Sequence, residues 1–254
     1  MNTHNQALFT GRFATRIVAV FAVAACVSLV ATLSGCAKAA AQRASSAADV
    51  EREITWFGQS SIRIQSGGKT IYVDPLFFDK ADKADIILIT HTHGDHYSFR
   101  NVQVLSKKGT VVVAPVDLGF ANRVMKPGTK TTIDGFEIEA VPAYNVVKTV
   151  NHPKADGNNG YVINVEGVRV YHAGDTELIP EMKDIACDIA LLPLGQTYTF
   201  GSVDEAVNAA LTVKAKIAIP IHYGLYEGSL ADAHDFADKL RASGVIVDIL
   251  EKRQ

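Results

Sequence analysis

The sequence predicts an α+β fold in which two packed β-sheets are covered by helices. Three observations support this prediction: the strand-like segments are short and apolar, helical patterns are interspersed among them, and the second half of the chain repeats the organisation of the first. The 254 residues are 48% hydrophobic and 20% charged, which is typical of a globular chain with one large or two small domains. A formal charge of −2, without basic runs, argues against a nucleic-acid partner.

Residues 1–35 have the organisation of a secretory signal peptide. Two arginines precede an uncharged apolar core at residues 17–30, and the sequence LSGC follows at residues 33–36. LSGC resembles the bacterial lipobox, in which the cysteine, here Cys36, is lipidated and becomes the first mature residue. An uncleaved transmembrane anchor is the alternative, because residues 17–33 could nearly span a bilayer. In both cases we expect a protein of the bacterial cell envelope, held to a membrane outside the cytoplasm.

Residues 36–52 are rich in Ala and Ser, which predicts a flexible tether between the lipid and the folded part. The domain is therefore predicted to occupy residues 53–254. Once the signal peptide is removed and Cys36 carries lipid, Cys187 is the one remaining cysteine, so no intrachain disulfide is expected in the domain. Cys187 lies among apolar residues and is predicted to contribute packing.

The first half is predicted to open with β-structure. Apolar alternation bounded by turn residues predicts strands at residues 54–57, 61–65 and 70–74. Continuous apolar runs at 85–90 and 109–114 predict buried strands. Helices are predicted at residues 98–106 and 117–125.

The second half is predicted to repeat this style. The strands predicted there are a hairpin at residues 131–141, a second hairpin at 160–171, and the segments 189–192 and 216–219. Ser202, three residues before Glu205, predicts the start of one helix. Helical spacing of apolar residues predicts another at 231–242.

The buried strand at 85–90 is followed by THTHGDH at residues 90–96. His91 and His93 are two residues apart, so an extended chain projects both to the same side. Gly94 allows a sharp turn that can aim Asp95 and His96 back toward them. Imidazole and carboxylate groups are ligands that zinc and similar cations prefer. The segment therefore predicts a metal site rather than a histidine-rich surface loop.

Two later strands end in a similar way. Gly174-Asp175 follows the strand within 168–171, and His222 follows the strand at 216–219. Alone, a Gly-Asp pair would more often form a turn, and a single histidine would more often have its hydrogen bonds satisfied within the protein. In combination with residues 90–96 they predict a site assembled from strand ends at one edge of a sheet.

The order and spacing of these residues resemble the metallo-β-lactamase superfamily. The resemblance is carried by the H-x-H-x-D-H motif at 91–96, by Gly174-Asp175-Thr176 and by His222. Residues 57–60, 73–75, 171–176, 190–195 and 219–224 resemble its branch of small metal-dependent hydrolases, which includes the ascorbate-phosphate lactonases. The resemblance implies a four-layer αββα sandwich with a two-metal site at one edge, holding two divalent ions, Zn or alternatively Mn or Fe.

By position, the resemblance assigns His91 and His93 to the first metal, Asp95, His96 and His222 to the second, and Asp175 to both as a bridge. The superfamily usually supplies a further histidine to the first metal from a loop that here ends in Asn145. His152, seven residues later, is one candidate for this place. The alternatives are that His152 lines the substrate pocket, or that the first metal is under-coordinated and weakly bound.

Four further residues are candidates for supporting roles. Asp74, at a strand end before Pro75, is predicted to orient a ligand histidine through its other ring nitrogen, or else simply to form a turn. His172 precedes Asp175 by three residues within the strand and is predicted to support the site. Lys148 and Lys154 flank the uncertain loop and could meet an anionic substrate, although such lysines are more often solvated.

These residues predict a hydrolase in which a metal-activated water attacks an ester, lactone or phosphodiester, of small-molecule or lipid-derived origin. Asp95 is the candidate to orient that water and accept its proton. One alternative is an iron-dependent oxidoreductase on the same fold. The branch that resembles flavodiiron proteins has a glutamate where this chain has His93, which argues against that form of the alternative. Persulfide-oxidising relatives keep the histidines, so iron stays open as the metal. A non-catalytic metal-binding or partner-binding module is the other alternative, and Asn145 alone supports it.

Overall fold

The structure is a computed structural model that describes residues 46–79, 82–120 and 122–253. The predicted signal peptide, Cys36 and the first part of the predicted tether lie outside these ranges. Within them, no helix combines the length and the apolar character needed to cross a bilayer.

The folded part begins earlier than the predicted boundary at residue 53. Helix α1 (Ala47–Glu51) starts with a capping box, in which the Ser46 side chain accepts from the Asp49 N–H and the Asp49 side chain accepts from the Ser46 N–H. Val50 of this helix is buried in the main core. Residues 46–52 are therefore packed chain, a feature that their Ala- and Ser-rich composition does not reveal.

The first sheet joins an antiparallel meander to parallel strands. Its strands lie in chain order: β1 (Ile54–Gly58), β2 (Ser61–Ser66), β3 (Lys69–Val73), β4 (Ala84–Leu88), β5 (Ser106–Ala114) and β6 (Arg123–Val124). The pairs β1–β2 and β2–β3 are antiparallel, and the pairs from β3 to β6 are parallel. Helix α2 (Phe99–Leu105) precedes β5, as predicted, and Ser98 caps its N-terminus.

The second sheet repeats this organisation. Its order is β13-β12-β11-β10-β9-β8-β7. The strands are β7 (Lys130–Ile133), β8 (Phe136–Pro142), β9 (Asn159–Val165), β10 (Val168–His172), β11 (Ile189–Pro193), β12 (Ile217–Ile221) and β13 (Ile246–Val247). Strands β7 to β10 pair antiparallel and β10 to β13 pair parallel. The turns at Asp134-Gly135 and Glu166-Gly167 have positive φ at both residues, the geometry that fits a two-residue hairpin.

The layers follow the predicted αββα order. The inner faces of both sheets share one core cluster, whereas the outer face of the first sheet packs against Val102 and Leu105 of α2. Helices α3 (Val203–Thr212) and α4 (Leu230–Leu240) cover the second sheet. Cys187 is buried in this core, and burial raises the pKa of its thiol to about 12, so it serves packing and stays a neutral thiol.

The helix predicted at residues 117–125 is wrong. Residues 117–120 and 122 are not helical, and residues 123–124 form β6, which pairs with β5. The Asn122 side chain accepts from the Leu118 N–H and donates to the Val116 carbonyl oxygen. Such local bonds from side chain to backbone compete with helix formation, and the apolar spacing of the segment does not disclose them.

Candidate metal centre

Four strands end near one place and carry the predicted ligands in the loops that follow. Residues 89–96 follow β4, residues 143–152 follow β8, residues 173–175 follow β10, and His222 follows β12. Gly174 has a φ of +64°, and a Cβ there would come within 2.8 Å of the Asn159 carbonyl oxygen. The loops approach so closely at this point that glycine is required.

His91, His93 and His152 form the first group of possible metal ligands. The centroid of the His93 ring lies 4.7 Å from that of His91 and 4.9 Å from that of His152. His152 Nε2 lies 3.2 Å from His93 Nδ1. The structure thus places His152 beside the first two histidines of the H-x-H-x-D-H motif. The alternative in which His152 contributes to the first metal requires this position.

Asp95, His96, Asp175 and His222 form the second group. The Nε2 atoms of His96 and His222 are 3.3 Å apart, and each lies 3.2 Å from Asp175 Oδ1. Asp95 Oδ2 lies 3.6 Å from His96 Nε2. Two nitrogens that bind one tetrahedral zinc at 2.0–2.1 Å are about 3.3 Å apart, so this spacing fits such a cation.

Asp175 lies between the two groups and directs one carboxylate oxygen to each. Oδ1 faces His96 and His222, and Oδ2 lies 3.5 Å from His152 Nε2. His91 Nε2 is buried and has no hydrogen-bond partner in the described part of the chain. A buried ring nitrogen without a partner is unfavourable unless something else binds it. The side chains therefore fit two divalent cations that share Asp175.

Asp74 orients His96 and, through Thr90, His91. Asp74 Oδ2 lies 2.7 Å from His96 Nδ1 and also accepts from the Thr90 hydroxyl at 2.5 Å. The Thr90 oxygen lies 3.0 Å from His91 Nδ1 and can accept its proton. An acceptor at Nδ1 keeps the proton there and leaves the Nε2 lone pair for a metal. Asp74 also has a φ of +45°, so it forms the turn as well as orienting the ligand.

The charges of the second group depend on one another. Burial disfavours the charged forms of His96 and His222, but the Asp175 carboxylate outweighs it and raises both pKa values, that of His222 to about 9. Burial also opposes ionisation of Asp175, yet these two histidines hold its pKa well below the usual value. The centre therefore favours positive charge beside Asp175, and a divalent cation would take the place of the protons.

Asn145 braces the loop that carries His152. Its N–H donates to the His152 carbonyl oxygen at 2.8 Å, and its side-chain amide donates to the Tyr198 carbonyl oxygen at 2.7 Å. Asn145 thus helps to position His152 beside His91 and His93.

Glu177 fixes the same loop and was not identified from the sequence. It is buried, and its carboxylate accepts from the N–H groups of Val146, Val147 and Lys148 at 2.8, 2.6 and 3.2 Å. Burial raises the pKa of this carboxyl, but the three N–H groups outweigh it and lower the pKa. Its position directly after Gly174-Asp175-Thr176 is the one signal that could have identified it.

Glu227 orients His222 and was also not identified. Its Oε1 lies 3.0 Å from His222 Nδ1 and accepts from the Thr199 hydroxyl at 2.9 Å. Its Oε2 accepts from the N–H groups of Thr197 and Tyr198 at 2.9 and 2.6 Å. Glu227 therefore connects the candidate ligand His222 to the segment that contains Thr197 and Tyr198. Nothing in the local sequence marks this glutamate.

Gln59 contacts two members of the second group. Its Nε2 donates to Asp95 Oδ2 at 3.0 Å and lies 2.7 Å from His222 Nε2. Its backbone has a φ of +49°, and its carbonyl oxygen accepts from the Trp56 ring N–H and the His222 N–H. The stretch 57–60 carries family resemblance, but the residue types alone do not indicate this contact.

The remaining predicted residues lie outside the ligand groups. His172 Nε2 bonds to the Ser60 carbonyl oxygen at 2.9 Å, and its Nδ1 accepts from the Gly174 N–H, so it supports the turn before Asp175. Lys154 does not line the cavity described below. Its ammonium instead binds Glu181 at 2.7 Å and the Tyr144 hydroxyl at 3.2 Å.

An open cavity of about 560 Å³ lies above the two groups. His93, Asp95, His152 and Asp175 contribute to its floor and walls. Tyr198 and Tyr226 also line it. A small molecule in this cavity would contact Asp175 and Asp95 together.

Comparison with known proteins agrees with this geometry. Residues 53–222 match the family described as Beta-lactamase superfamily domain. A UPF0173 metal-dependent hydrolase from Geobacillus sp. (strain WCH70) is 34% identical over 207 residues, which are 72% of this chain and 91% of that protein.

Two solved structures are also similar. One, described as a metal-dependent hydrolase from Parabacteroides distasonis, is 39% identical with a TM-score of 0.70, covering 79% of this chain and 93% of that one. Another, described as a Zn-dependent hydrolase of the metallo-β-lactamase superfamily from Thermotoga maritima, is 29% identical with a TM-score of 0.53, covering 73% and 84%. The chain therefore has the metallo-β-lactamase fold and belongs to the β-lactamase superfamily, within its UPF0173 family of metal-dependent hydrolases.

Proposed function

We propose that this metal-dependent hydrolase holds two divalent ions and uses them to cleave a carboxylic ester, a lactone or a phosphodiester. The observation that carries the proposal is the position of Asp175, whose two oxygens face the two ligand groups separately. A carboxylate between two clusters of imidazoles is suited to bridging two cations. The first ion would be held by His91, His93 and His152, and the second by Asp95, His96 and His222.

Two divalent ions bound there would supply a water nucleophile at neutral pH and polarise the oxygen of the scissile group. Asp95 is placed to orient that water and to accept its proton, because it faces the cavity and its side chain is 24% exposed. Gln59 holds Asp95 Oδ2 by a hydrogen bond and leaves Oδ1 for this role. His93, also on the cavity wall, limits how the substrate can approach.

Zinc is the metal that the donor set supports best. Imidazole nitrogens and carboxylate oxygens in groups of three and four suit it, and the Thermotoga maritima structure is described as Zn-dependent. Manganese and iron accept the same donors and are the alternatives. The stretches that resemble the ascorbate-phosphate lactonases make lactones one member of the substrate class that we propose.

The proposal includes a location outside the cytoplasm. The signal-like residues 1–35 and the lipobox-like LSGC motif support export and lipidation at Cys36. A membrane-held enzyme would have access to lipid-derived as well as small-molecule substrates. Expression of the full chain in bacteria fed a labelled fatty acid tests this. Label should enter the wild-type chain and not a Cys36→Ser variant, and a wild-type chain without label would contradict lipidation.

Metal analysis of the purified protein tests the centre itself. About two equivalents of zinc or manganese per chain, falling in Asp175→Asn and unchanged in the exposed control Asp156→Asn, would support the shared carboxylate. Asp95→Ala should abolish turnover of esters, lactones and phosphodiesters in the wild-type fold. Iron as the bound metal would favour the oxidoreductase alternative. A protein that binds no metal would favour the binding-module alternative.

A further inference from the structure

Two tyrosines are the largest side chains in the lining of the metal cavity. Apart from members of the two ligand groups, the residues that line it are Gly94, Asn151, Tyr198 and Tyr226. Tyr198 and Tyr226 are 43% and 61% accessible, and neither belongs to a core cluster of the described residues. Aromatic surface that lines a cavity and packs against no core is available to a ligand.

Glu227 fixes the backbone of both segments that carry these tyrosines. Its Oε2 accepts from the Tyr198 N–H at 2.6 Å, and the Tyr198 carbonyl oxygen accepts from the Asn145 side-chain amide at 2.7 Å. Tyr226 directly precedes Glu227, in a turn where the Gly224 N–H donates to the Glu227 carbonyl oxygen at 3.0 Å. Both rings are thus attached to backbone that is already held in place, which lowers the cost of ordering the site around a ligand.

The cavity wall offers no side chain with a permanent positive charge. Among the described residues that line the cavity none is Lys or Arg, whereas Lys69, Lys130 and Lys252 line other cavities of the protein. An anionic substituent away from the metal ions would therefore find no cationic partner in the wall. Of the proposed substrates, carboxylic esters and lactones are uncharged and phosphodiesters are not. The lining thus favours the uncharged members of the class.

A planar aromatic group matches the two tyrosines. A cavity of about 560 Å³ is large enough for a drug-sized molecule. Aromatic rings pack offset or edge to face, and such a pair contributes about 2- to 12-fold in binding beyond the area that it buries. A saturated ring of the same size gains from area alone. Tyr198 and Tyr226 can therefore distinguish a planar ring from a saturated one.

We propose that the substrate is an uncharged carboxylic ester or lactone that carries an aromatic ring, and that Tyr198 and Tyr226 bind this ring. The inference rests on the proposed hydrolase function and selects one substrate class within it. Water adds to the carbonyl carbon, the bond from that carbon to the alkoxy oxygen breaks, and that oxygen takes one proton and becomes an alcohol. The acid is released as a carboxylate, with its proton passed to solvent, so no other co-reactant is needed.

Matched pairs of esters test the inference with the purified, zinc-loaded protein. Ethyl 3-phenylpropanoate and ethyl 3-cyclohexylpropanoate carry the ring on the acyl side, and 2-phenylethyl and 2-cyclohexylethyl propanoate carry it on the alcohol side. Two methylene groups separate ring and ester in every compound, so the intrinsic reactivities within a pair are similar. The value of kcat/KM, measured by titrating the released acid, should be about fivefold higher for the phenyl member of at least one pair.

Variants connect this preference to the two rings. A Tyr198→Leu, Tyr226→Leu double variant should lower the ratio within the pair to about 1, because leucine keeps apolar area but has no ring. A Tyr198→Phe, Tyr226→Phe double variant should keep the wild-type ratio, because the proposed contact is the ring and not the hydroxyl. Phe99→Leu is the control and should also keep it, since Phe99 is 48% accessible on α2 and does not line the cavity. Metal content should be equal in all of these proteins.

The outcomes separate the inference from the function beneath it. Hydrolysis of both pairs without a phenyl preference would overturn the inference and leave the hydrolase proposal standing. A phenyl preference that survives in the double leucine variant, or faster cleavage of bis(p-nitrophenyl) phosphate than of every ester, would do the same. A metal-loaded protein that cleaves none of these compounds and no simple lactone would overturn the proposed function together with the inference.

Discussion

Replacing Glu227 by glutamine should weaken both the fold and the second metal site. The carboxylate accepts three hydrogen bonds, from the Thr199 hydroxyl and the N–H groups of Thr197 and Tyr198, and its Oε1 lies 3.0 Å from the donor nitrogen Nδ1 of His222. A glutamine keeps the size and one acceptor oxygen, but its NH₂ group must face two of these donors. A buried donor that loses its acceptor costs about 1–3 kcal/mol, so we expect a loss of about 3 kcal/mol in unfolding free energy.

Thermal unfolding of the metal-free protein measures this loss. For a domain of this size each kcal/mol lowers Tm by about 2–4 °C, so Tm should fall by about 6–12 °C. Burial raises the pKa of the Glu227 carboxyl, but its partners outweigh burial and lower it below the usual value. The stability that it contributes is therefore present above the unfolded pKa and lost as pH falls through the lowered folded pKa. The difference between Glu227→Gln and wild type should shrink accordingly in acid.

Metal titration gives a second readout of the same substitution. Removing the partner of a ligating histidine typically lowers metal affinity 10- to 100-fold, and here the loss should fall on the site of His222. Glu181→Gln is the matched control, since Glu181 is a partly exposed glutamate that binds Lys154 and Tyr144 away from the cavity. A Glu227→Gln protein with wild-type Tm and wild-type affinity at both sites would refute the reasoning.

Three further predictions follow from the same geometry. His152→Ala should reduce bound metal from about two to about one equivalent per chain by elemental analysis, whereas His234→Ala on α4 should not; two retained equivalents would exclude His152 as a ligand. Because His222 has a pKa of about 9 in the metal-free centre, bound protons compete with metal, and affinity measured against a chromogenic chelator should fall as pH is lowered from 9 to 6. A hydrogen bond to Asp248, aided by burial, raises the Glu51 pKa from 4.5 to about 7, so its contribution to stability is present below the unfolded pKa and lost as pH rises to the folded pKa; Glu51→Gln should flatten the fall of Tm between about pH 4.5 and 7, and an unchanged slope would contradict this.

The fold and most of the candidate ligands were accessible from local sequence patterns. Strands such as β4 and β12 are continuous apolar runs, and the residues at their ends carry unusual chemistry for a loop. The helix predicted at 117–125 fails because Asn122 satisfies backbone groups of a loop, which no periodicity reports. The pattern of apolar residues therefore predicts where a strand ends, but it does not predict the conformation of the loop that follows.

The completion of the first ligand group was not predictable from sequence alone. His152 reaches His93 because hydrogen bonds from Asn145 and to Glu177 hold the intervening loop in one shape. Neither residue belongs to a sequence pattern that indicates this role. Glu227 likewise reaches His222 only because residue 195 is a glycine, where a Cβ would overlap the glutamate side chain. Such supporting residues are defined by tertiary contacts, and their spacing along the chain has no fixed value.

The separation of the ligands along the chain has a consequence for the order of events in biogenesis. His91, His93 and His96 come from the first sheet, whereas His152, Asp175 and His222 come from the second, and neither sheet alone holds a complete group. A nascent chain can therefore complete either ligand group only after both sheets have docked. We therefore expect metal loading to follow docking, so that the ions available where docking finishes decide which metal is bound.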